Sequence, residues 1–264
     1  MKNKPSVLVV GGDSQVGKYL VEMLKAKEFE VVFTSRREPK LELPNLFFDL
    51  ESADDIKFTI PFDFAIICLG VTSVNKCETD ASKSEQLNVL ATTKLINKLV
   101  ELNVFIIYLS SNLVFSGEKA FYSISDTPNP KSNYGKFKLK IEKLLSSKAY
   151  NQFAVLRMTK VLPVDELNQF SWQLDITEGR SAELFTNVYL APVGIQEVGE
   201  TILAILRSSK IGIFQISAPR EISYFDFGTL WAIDNHFDPG LIIPTLSGNH
   251  IQSKHNSLVR HLPT

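Results

Sequence analysis

The stretch Ser6–Leu20, SVLVVGGDSQVGKYL, has the composition of a strand, a glycine turn and the start of a helix. It opens with a short continuous apolar run ending in glycine, the composition of a strand buried on both faces. Gly11, Gly12 and Gly17 follow, and apolar residues then return at helical spacing as Val16, Leu20, Met23 and Leu24. Strand, glycine turn and amphipathic helix in this order form the first unit of a dinucleotide-binding fold. The glycines permit a tight turn and bring a pyrophosphate close to the helix N-terminus, where backbone N–H groups and the dipole favour anions. Ser14 stands where G-x-x-G-x-x-G would have its middle glycine. The candidate cofactor turn is Gly11, Gly12, Asp13, Ser14, Gln15, Val16 and Gly17.

Working outward, EVVFTSR, LFFDL, FDFAIICLG, VFIIYLSS and FAVLRMTKVL read as further strands. Between them lie two amphipathic helices. One is SEQLNVLATTKLINKLVEL, with Leu87, Leu90, Leu95 and Leu99 facing inward; the other is SNYGKFKLKIEKLL, with Phe137, Ile141, Leu144 and Leu145. The alternation predicts an α/β protein with a Rossmann-type, doubly wound parallel sheet. After Lys160 the pattern turns irregular. It recovers in the helix QEVGETILAILRSS, the strand GIFQIS and the helix SYFDFGTLWAI. The expected division is a dinucleotide-binding domain over 1–160 and a smaller, irregular C-terminal substrate lobe over 161–264, with 193–217 returning to the first domain.

Composition narrows the function classes. The 264 residues are 44% hydrophobic and 22% charged, with net charge −1, so nothing electrostatic points to nucleic acid or an anionic membrane as partner. No apolar run reaches the roughly 20 residues that span a bilayer. Two cysteines, Cys68 and Cys77, make no disulfide framework and fit a reducing compartment. Cys68, inside an apolar run, reads as a small buried hydrophobe. The N-terminus enters a strand directly, without a signal-peptide pattern, so a cytoplasmic location is expected. His236, His250, His255 and His261 lack a familiar metal-ligand spacing, so no metal is expected. Gly-x-Ser-x-Gly is absent, which argues against a serine hydrolase. Trp172 and Trp231 read as packing residues.

Several residues carry candidate chemistry. The second strand ends in Arg36 and Arg37 where an acid would accept from a ribose 2′-hydroxyl; two guanidiniums there suit a 2′-phosphate. Asp49, with Leu50 beside it, ends the third strand where a carboxylate can meet an adenine amino group. Ser110 and Ser111 end the fifth strand, at the sheet edge that binds ligands in such folds. Tyr134 and Lys138 share one helix face. A lone Tyr-x-x-x-Lys reads as a solvated helix edge. Placed beside Ser111 and a nicotinamide, the same pair supplies a phenol able to move a proton, with a cation to lower its pKa.

The chain resembles the extended short-chain dehydrogenase/reductases, and within them the dTDP-4-dehydrorhamnose reductases of nucleotide-sugar synthesis. The likeness lies in GGDSQVGKYL, FFDLES, DFAIICLGVTSVNKCETD with the later QLN, LSSNLVFSGEKAFYSISDTPNPKSNYGKFKLKIE, and APVGIQEVGETI. The resemblance implies that Tyr134 is the general acid, that Lys138 holds the nicotinamide ribose, and that Ser111 polarises the carbonyl. It also implies that Leu69, Gly70 and Val71 line the nicotinamide half. The implied cofactor is NADPH, with NADH open, and the implied substrate a nucleotide sugar or other small carbonyl compound. Asn112 and Leu113 replace an acid and a tyrosine of the family, and Lys160 replaces a tryptophan, on the sugar side. An epimerase or dehydratase, and a catalytically silent binding or scaffold protein, stay open beside the reductase. A homodimer is among the expectations.

Overall fold

The computed structural model describes residues 4–36, 45–47, 61–147, 151–163, 170–248 and 254–263. The first half runs β1 (Ser6–Val10), α1 (Gln15–Ala26), β2 (Glu30–Ser35), β3 (Asn45–Phe47), β4 (Phe64–Ile67), α2 (Val74–Thr79), α3 (Ala81–Glu85), α4 (Thr92–Glu101), β5 (Phe105–Ser111) and α5 (Asn133–Leu145). The second runs β6 (Phe153–Met158), β7 (Val161–Leu162), α6 (Ser171–Thr177), β8 (Ala182–Phe185), β9 (Tyr189–Leu190), β10 (Val193–Gly194), α7 (Ile195–Ser208), β11 (Gly212–Ile216), β12 (Ile222–Ser223), α8 (Tyr224–Asp234) and β13 (Ile242–Thr245).

Seven strands form one sheet in the order β11-β6-β5-β4-β1-β2-β3, every pair parallel. Val7–Val10 are wholly buried, as a continuous apolar strand covered on both faces must be. One face packs against α1 and α7 through Leu20, Leu24, Ile202 and Leu206. The other packs against α4 and α5 through Leu95, Leu99, Ile141 and Leu145. Strand order reverses between β1 and β4, and the crevice at the carboxyl ends there is where such sheets bind ligands. The segment Val193–Ile216 rejoins the sheet: α7 packs on the β1 face and β11 pairs with β6.

Two elements depart from expectation. The helix expected through Leu87–Leu99 is interrupted over Gln86–Ala91 by a π-helical stretch. The wider turn shifts the phase of the helix, so Leu90 points outward at 56% exposure and Asn88 turns inward. The strand expected through Leu162 breaks after Met158. Thr159 Oγ1 there donates to the Ala191 carbonyl, and β7 pairs with β10 outside the main sheet. A small second cluster holds Phe170, Trp172, Phe227, Trp231 and Phe237 around a parallel β8–β13 pair. Trp172 and Trp231 meet edge-on at 5.2 Å, as packing residues. The chain then returns, and residues 255–262 bridge to Tyr122 and to Gln215 of β11.

Candidate active site

Ser14 caps α1. Its hydroxyl accepts from the Gly17 N–H (3.0 Å) and donates to the Gly11 carbonyl (2.8 Å), so a capping side chain stands in for the missing glycine. Gly11 has φ +87°, a conformation that side-chain-bearing residues seldom adopt. A Cβ at Gly17 would lie 2.2 Å from the Gly11 carbonyl oxygen. Thr34 Oγ1 accepts from the Gly11 N–H at 2.9 Å, and the Asp13 carboxylate accepts from the Ser35 hydroxyl, which ties the turn to the end of β2. Turn and strand end open into a cleft of about 530 Å³ whose lining includes Gly11, Asp13, Ser14, Arg36, Cys68 and Leu69. The cleft runs to the N-terminus of α1, the kind of place where backbone N–H groups and the helix dipole favour a phosphate. Cys68, expected as a buried hydrophobe, is half-buried on this wall, and desolvation pushes its thiol up to about 12.

The far wall is the Leu69–Val71 loop. Asn88 holds it: Oδ1 accepts from the Val71 N–H (2.7 Å) and Nδ2 donates to the Val71 carbonyl (3.0 Å). Gly70, with φ +133°, leaves room for that amide; a Cβ there would meet Asn88 Oδ1 at 2.7 Å. The π-helical stretch is what turns Asn88 toward the loop. Sequence reasoning did not single out Asn88, although it sits in the QLN segment.

Ser111 and Tyr134 come together because α5 begins close under the end of β5. Ser132 caps α5 by accepting from the Gly135 N–H at 3.1 Å. Asn133 donates from its backbone N–H to Glu78 Oε1 (2.7 Å) and from Nδ2 to Glu78 Oε2 (2.9 Å), which fixes the first turn against α2. Gly135 lets that turn press on the Leu113 carbonyl, where a Cβ would be only 2.0 Å from the oxygen. Tyr134 and Lys138 then fall one turn apart on the buried side. Lys138 Nζ donates to the Leu109 carbonyl (2.8 Å) and lies over the Tyr108 and Tyr134 rings at 4.7 and 5.7 Å. Burial lowers the Lys138 amine to about 8, against raising contributions led by Cys68.

Burial likewise raises the Tyr134 phenol above its ordinary value, with Cys77 adding to the rise and a hydrogen bond with Ser111 opposing it. The expectation that Lys138 brings the phenol down toward neutral pH is therefore corrected. Desolvation dominates the shift, and the phenol keeps its proton through neutral pH.

One turn further along α5, Glu142 anchors the helix to the sheet. Its carboxylate accepts from the Ser110 hydroxyl and takes a bidentate pair from Arg157, with Nη2 to Oε2 at 2.7 Å and Nε to Oε1 at 3.1 Å. Arg157 Nη1 donates to Gln215 Oε1 (3.2 Å), and Glu142 and Arg157 are buried at 2% exposure. Asn112, expected on the sugar side, accepts at Oδ1 from the Ser111 hydroxyl (3.2 Å) and donates from Nδ2 to Asn256 Oδ1 (2.8 Å). Leu113 donates its N–H to Ser111 Oγ (3.2 Å). Lys160 is solvent-exposed as a residue, yet its ammonium rests 4.6 Å over the Phe170 ring and desolvation lowers its pKa. Arg36 lines the cleft; Arg37, Asp49 and Leu50 lie outside the described residues. Among the described residues no cluster of His, Cys, Asp and Glu could hold a metal ion, and no helix is long and apolar enough to cross a membrane.

A family model described as the RmlD substrate binding domain matches residues 5–253. The chain belongs to this family. Among relatives of this RmlD-type chain, the probable low-salt glycan biosynthesis reductase Agl14 of Haloferax volcanii is 25% identical over 231 residues, 83% of this chain and 77% of that protein. The bovine methionine adenosyltransferase 2 subunit beta is 30% identical over 139 residues, 52% of this chain but only 41% of the bovine length. The structure of the dTDP-4-dehydrorhamnose reductase of Bacillus anthracis in complex with NADP superposes with a TM-score of 0.84 at 17% identity, covering 97% of this chain and 90% of that one. At that identity the likeness is one of fold.

Proposed function

We propose that the protein is an NADP(H)-dependent reductase of a keto group on a nucleotide-activated sugar. The observation that carries the reading is a hydroxyl, a phenol and an ammonium close together at the carboxyl edge of β5, in the same parallel sheet whose β1–α1 turn opens into the cleft. Residues 1–160 serve as the dinucleotide-binding part and 161–264 mainly as the substrate part, apart from the stretch that rejoins the sheet. The bound cofactor supplies hydride to the carbonyl carbon. N–H groups at the start of α1 receive the pyrophosphate, and Arg36 pairs with a 2′-phosphate. By resemblance, Arg37, Asp49 and Leu50 complete the adenosine side.

Tyr134 delivers its proton to the carbonyl oxygen as negative charge grows there, and Ser111 donates a hydrogen bond to the same oxygen. A phenol held protonated by burial suits this role, because the acid must carry its proton at working pH. Lys138 holds the ribose and offsets the charge left on the phenolate. Asn112, Leu113 and Lys160 are proposed for the sugar side, where the Lys160 ammonium suits a sugar with an extra anionic group.

The test follows NADPH absorbance with a panel of dTDP-4-keto-6-deoxy and uronic-type keto sugars. Turnover that falls by orders of magnitude in Tyr134→Phe, with cofactor affinity unchanged, is the expected result. Turnover untouched by Tyr134→Phe removes the proposed acid. The partial match to one subunit of a methionine adenosyltransferase keeps one second reading in play, a protein of this fold that binds the cofactor and acts as a partner of another chain without turnover of its own. Tight cofactor binding with no reduction of any sugar would favour it.

A further inference from the structure

Resting on that reading of Ser111, we infer that Asn256, in the C-terminal return of the chain, is a positioning residue that sets the direction of the Ser111 hydroxyl through Asn112. A backbone carbonyl can only accept, so the Tyr189 carbonyl fixes which end of the Asn256 amide faces it: Nδ2 donates there at 2.6 Å. Oδ1 of Asn256 must then point the other way, where it accepts from Asn112 Nδ2 at 2.8 Å. That in turn fixes the Asn112 amide with Oδ1 toward Ser111, whose hydroxyl donates to it at 3.2 Å. The serine oxygen meanwhile accepts from the Leu113 N–H at 3.2 Å. Serine has one hydroxyl proton and two lone pairs. With the proton drawn to Asn112 and one lone pair taken by Leu113, a lone pair is left to accept from the protonated Tyr134 phenol; only toward a phenolate would Ser111 turn its proton, and that is the bond that opposes the rise in the Tyr134 pKa.

The relay thus keeps Ser111 from competing as a donor for the phenol at rest. When a carbonyl oxygen arrives, only the long bond to Asn112 has to be given up. The far end is firmly held: the Asn256 N–H donates to Glu221 Oε1 at 2.9 Å, the Ser257 N–H to the same oxygen at 2.9 Å, and the His255 ring stacks on Tyr189 at 5.2 Å. A segment 144 residues away in sequence thereby reaches the reacting group.

The experiment is a double-substitution cycle on the full chain, read as kcat and as KM for NADPH, with the most active sugar of the panel. Asn256→Leu removes both ends of the relay. Asn256→Asp keeps an acceptor for Asn112 but sets a carboxylate oxygen against the Tyr189 carbonyl, so its melting temperature is read alongside. The expected kcat falls about tenfold in Asn256→Leu, a hydrogen bond's net worth of about 1.4 kcal/mol, and less in Asn256→Asp, with KM for NADPH unchanged. In the Ser111→Ala background Asn256→Leu should change kcat less than about twofold, since residues acting as one unit are not additive.

Equal losses in both backgrounds, or no loss in the wild-type background, overturns the inference. A merely structural role for the tail predicts the equal losses, accompanied by a lower melting temperature. The failure of the underlying reading looks different: Ser111→Ala then keeps full activity, or no sugar is reduced at all, and the inference falls with it.

Discussion

Replacing Gly135 by alanine tests how the site is assembled. The added Cβ would lie 2.0 Å from the Leu113 carbonyl oxygen, about 1.4 Å short of the 3.4 Å at which ordinary contact begins. It would also meet Pro130 Cβ at 2.9 Å, so it is pressed from two sides and the obstacle at closest approach is backbone. The first turn of α5 has to lift by something near that shortfall, and Tyr134 lifts with it. A misplacement of about 1 Å at a reacting group costs on the order of 10²-fold in rate, close to 2.7 kcal/mol of barrier. Stability should respond much less. Alanine gains about 1 kcal/mol of helix propensity over glycine, against an overpacking cost of about 1–3 kcal/mol. The expected outcome is a kcat about a hundredfold lower with a melting temperature only a few degrees down. Gly17→Ala is the contrasting variant, because its clash with the Gly11 carbonyl should raise the Kd for NADPH instead. Steady-state kinetics, calorimetric cofactor titration and a thermal melt read all three quantities. A Gly135→Ala enzyme with kcat within about threefold of wild type would refute the claim that this close approach places the acid.

Activity should fall as pH rises through about 8. The Lys138 ammonium is present below its lowered value of about 8 and absent above it, while the raised Tyr134 stays protonated throughout. The same depressed lysine binds fewer protons folded than unfolded between about 8 and its ordinary 10.5, so its own contribution to stability rises with pH across that window. An alkaline loss of kcat/KM without loss of the folded signal is therefore expected, and a flat profile from pH 7 to 10 argues against a charged Lys138. NADPH should bind more tightly than NADH, and Arg36→Ala should narrow the gap by about tenfold, the worth of a charge-assisted contact; calorimetric titration of both cofactors reads it, and an unchanged ratio removes Arg36 from the 2′-phosphate. Glu142→Gln leaves the Arg157 guanidinium buried without its carboxylate, so denaturant unfolding should show a loss of about 3–5 kcal/mol. A loss under about 1 kcal/mol would mean the pair is not the anchor of α5.

The parts of the fold with strong periodicity were legible in the sequence. Ser6–Val10 and Phe105–Ser111 are apolar enough to need cover on both faces, and α1, α5 and α7 each show one apolar stripe. The π-helical stretch was not legible, because Leu87 and Leu90 keep an ordinary helical spacing and nothing local marks the extra residue per turn. It decides the site nonetheless, by turning Asn88 onto the Leu69–Val71 wall. The small lobe was equally opaque, since two-residue strands such as β9 and β12 carry no period at all.

Within the candidate site, the sequence offers the groups proposed to act, but not their surroundings. Tyr134 and Lys138 are one turn apart on any helix, so their adjacency follows from spacing alone. Their pKa values follow from burial, which spacing does not give. The sequence shows a cation beside a phenol and leads to a lowered phenol; the fold buries both groups, and desolvation moves them toward their neutral forms instead. For a reductase this is the more useful arrangement. An acid that keeps its proton at rest can give it up only when charge appears on the carbonyl oxygen, and a lysine poised near 8 sits close enough to working pH to respond to that charge. The supports that make this possible, Glu142 beneath the helix and Asn256 beyond Asn112, come from residues with no motif of their own. They became visible only when β6, β11 and the returning tail were brought to the same end of the sheet.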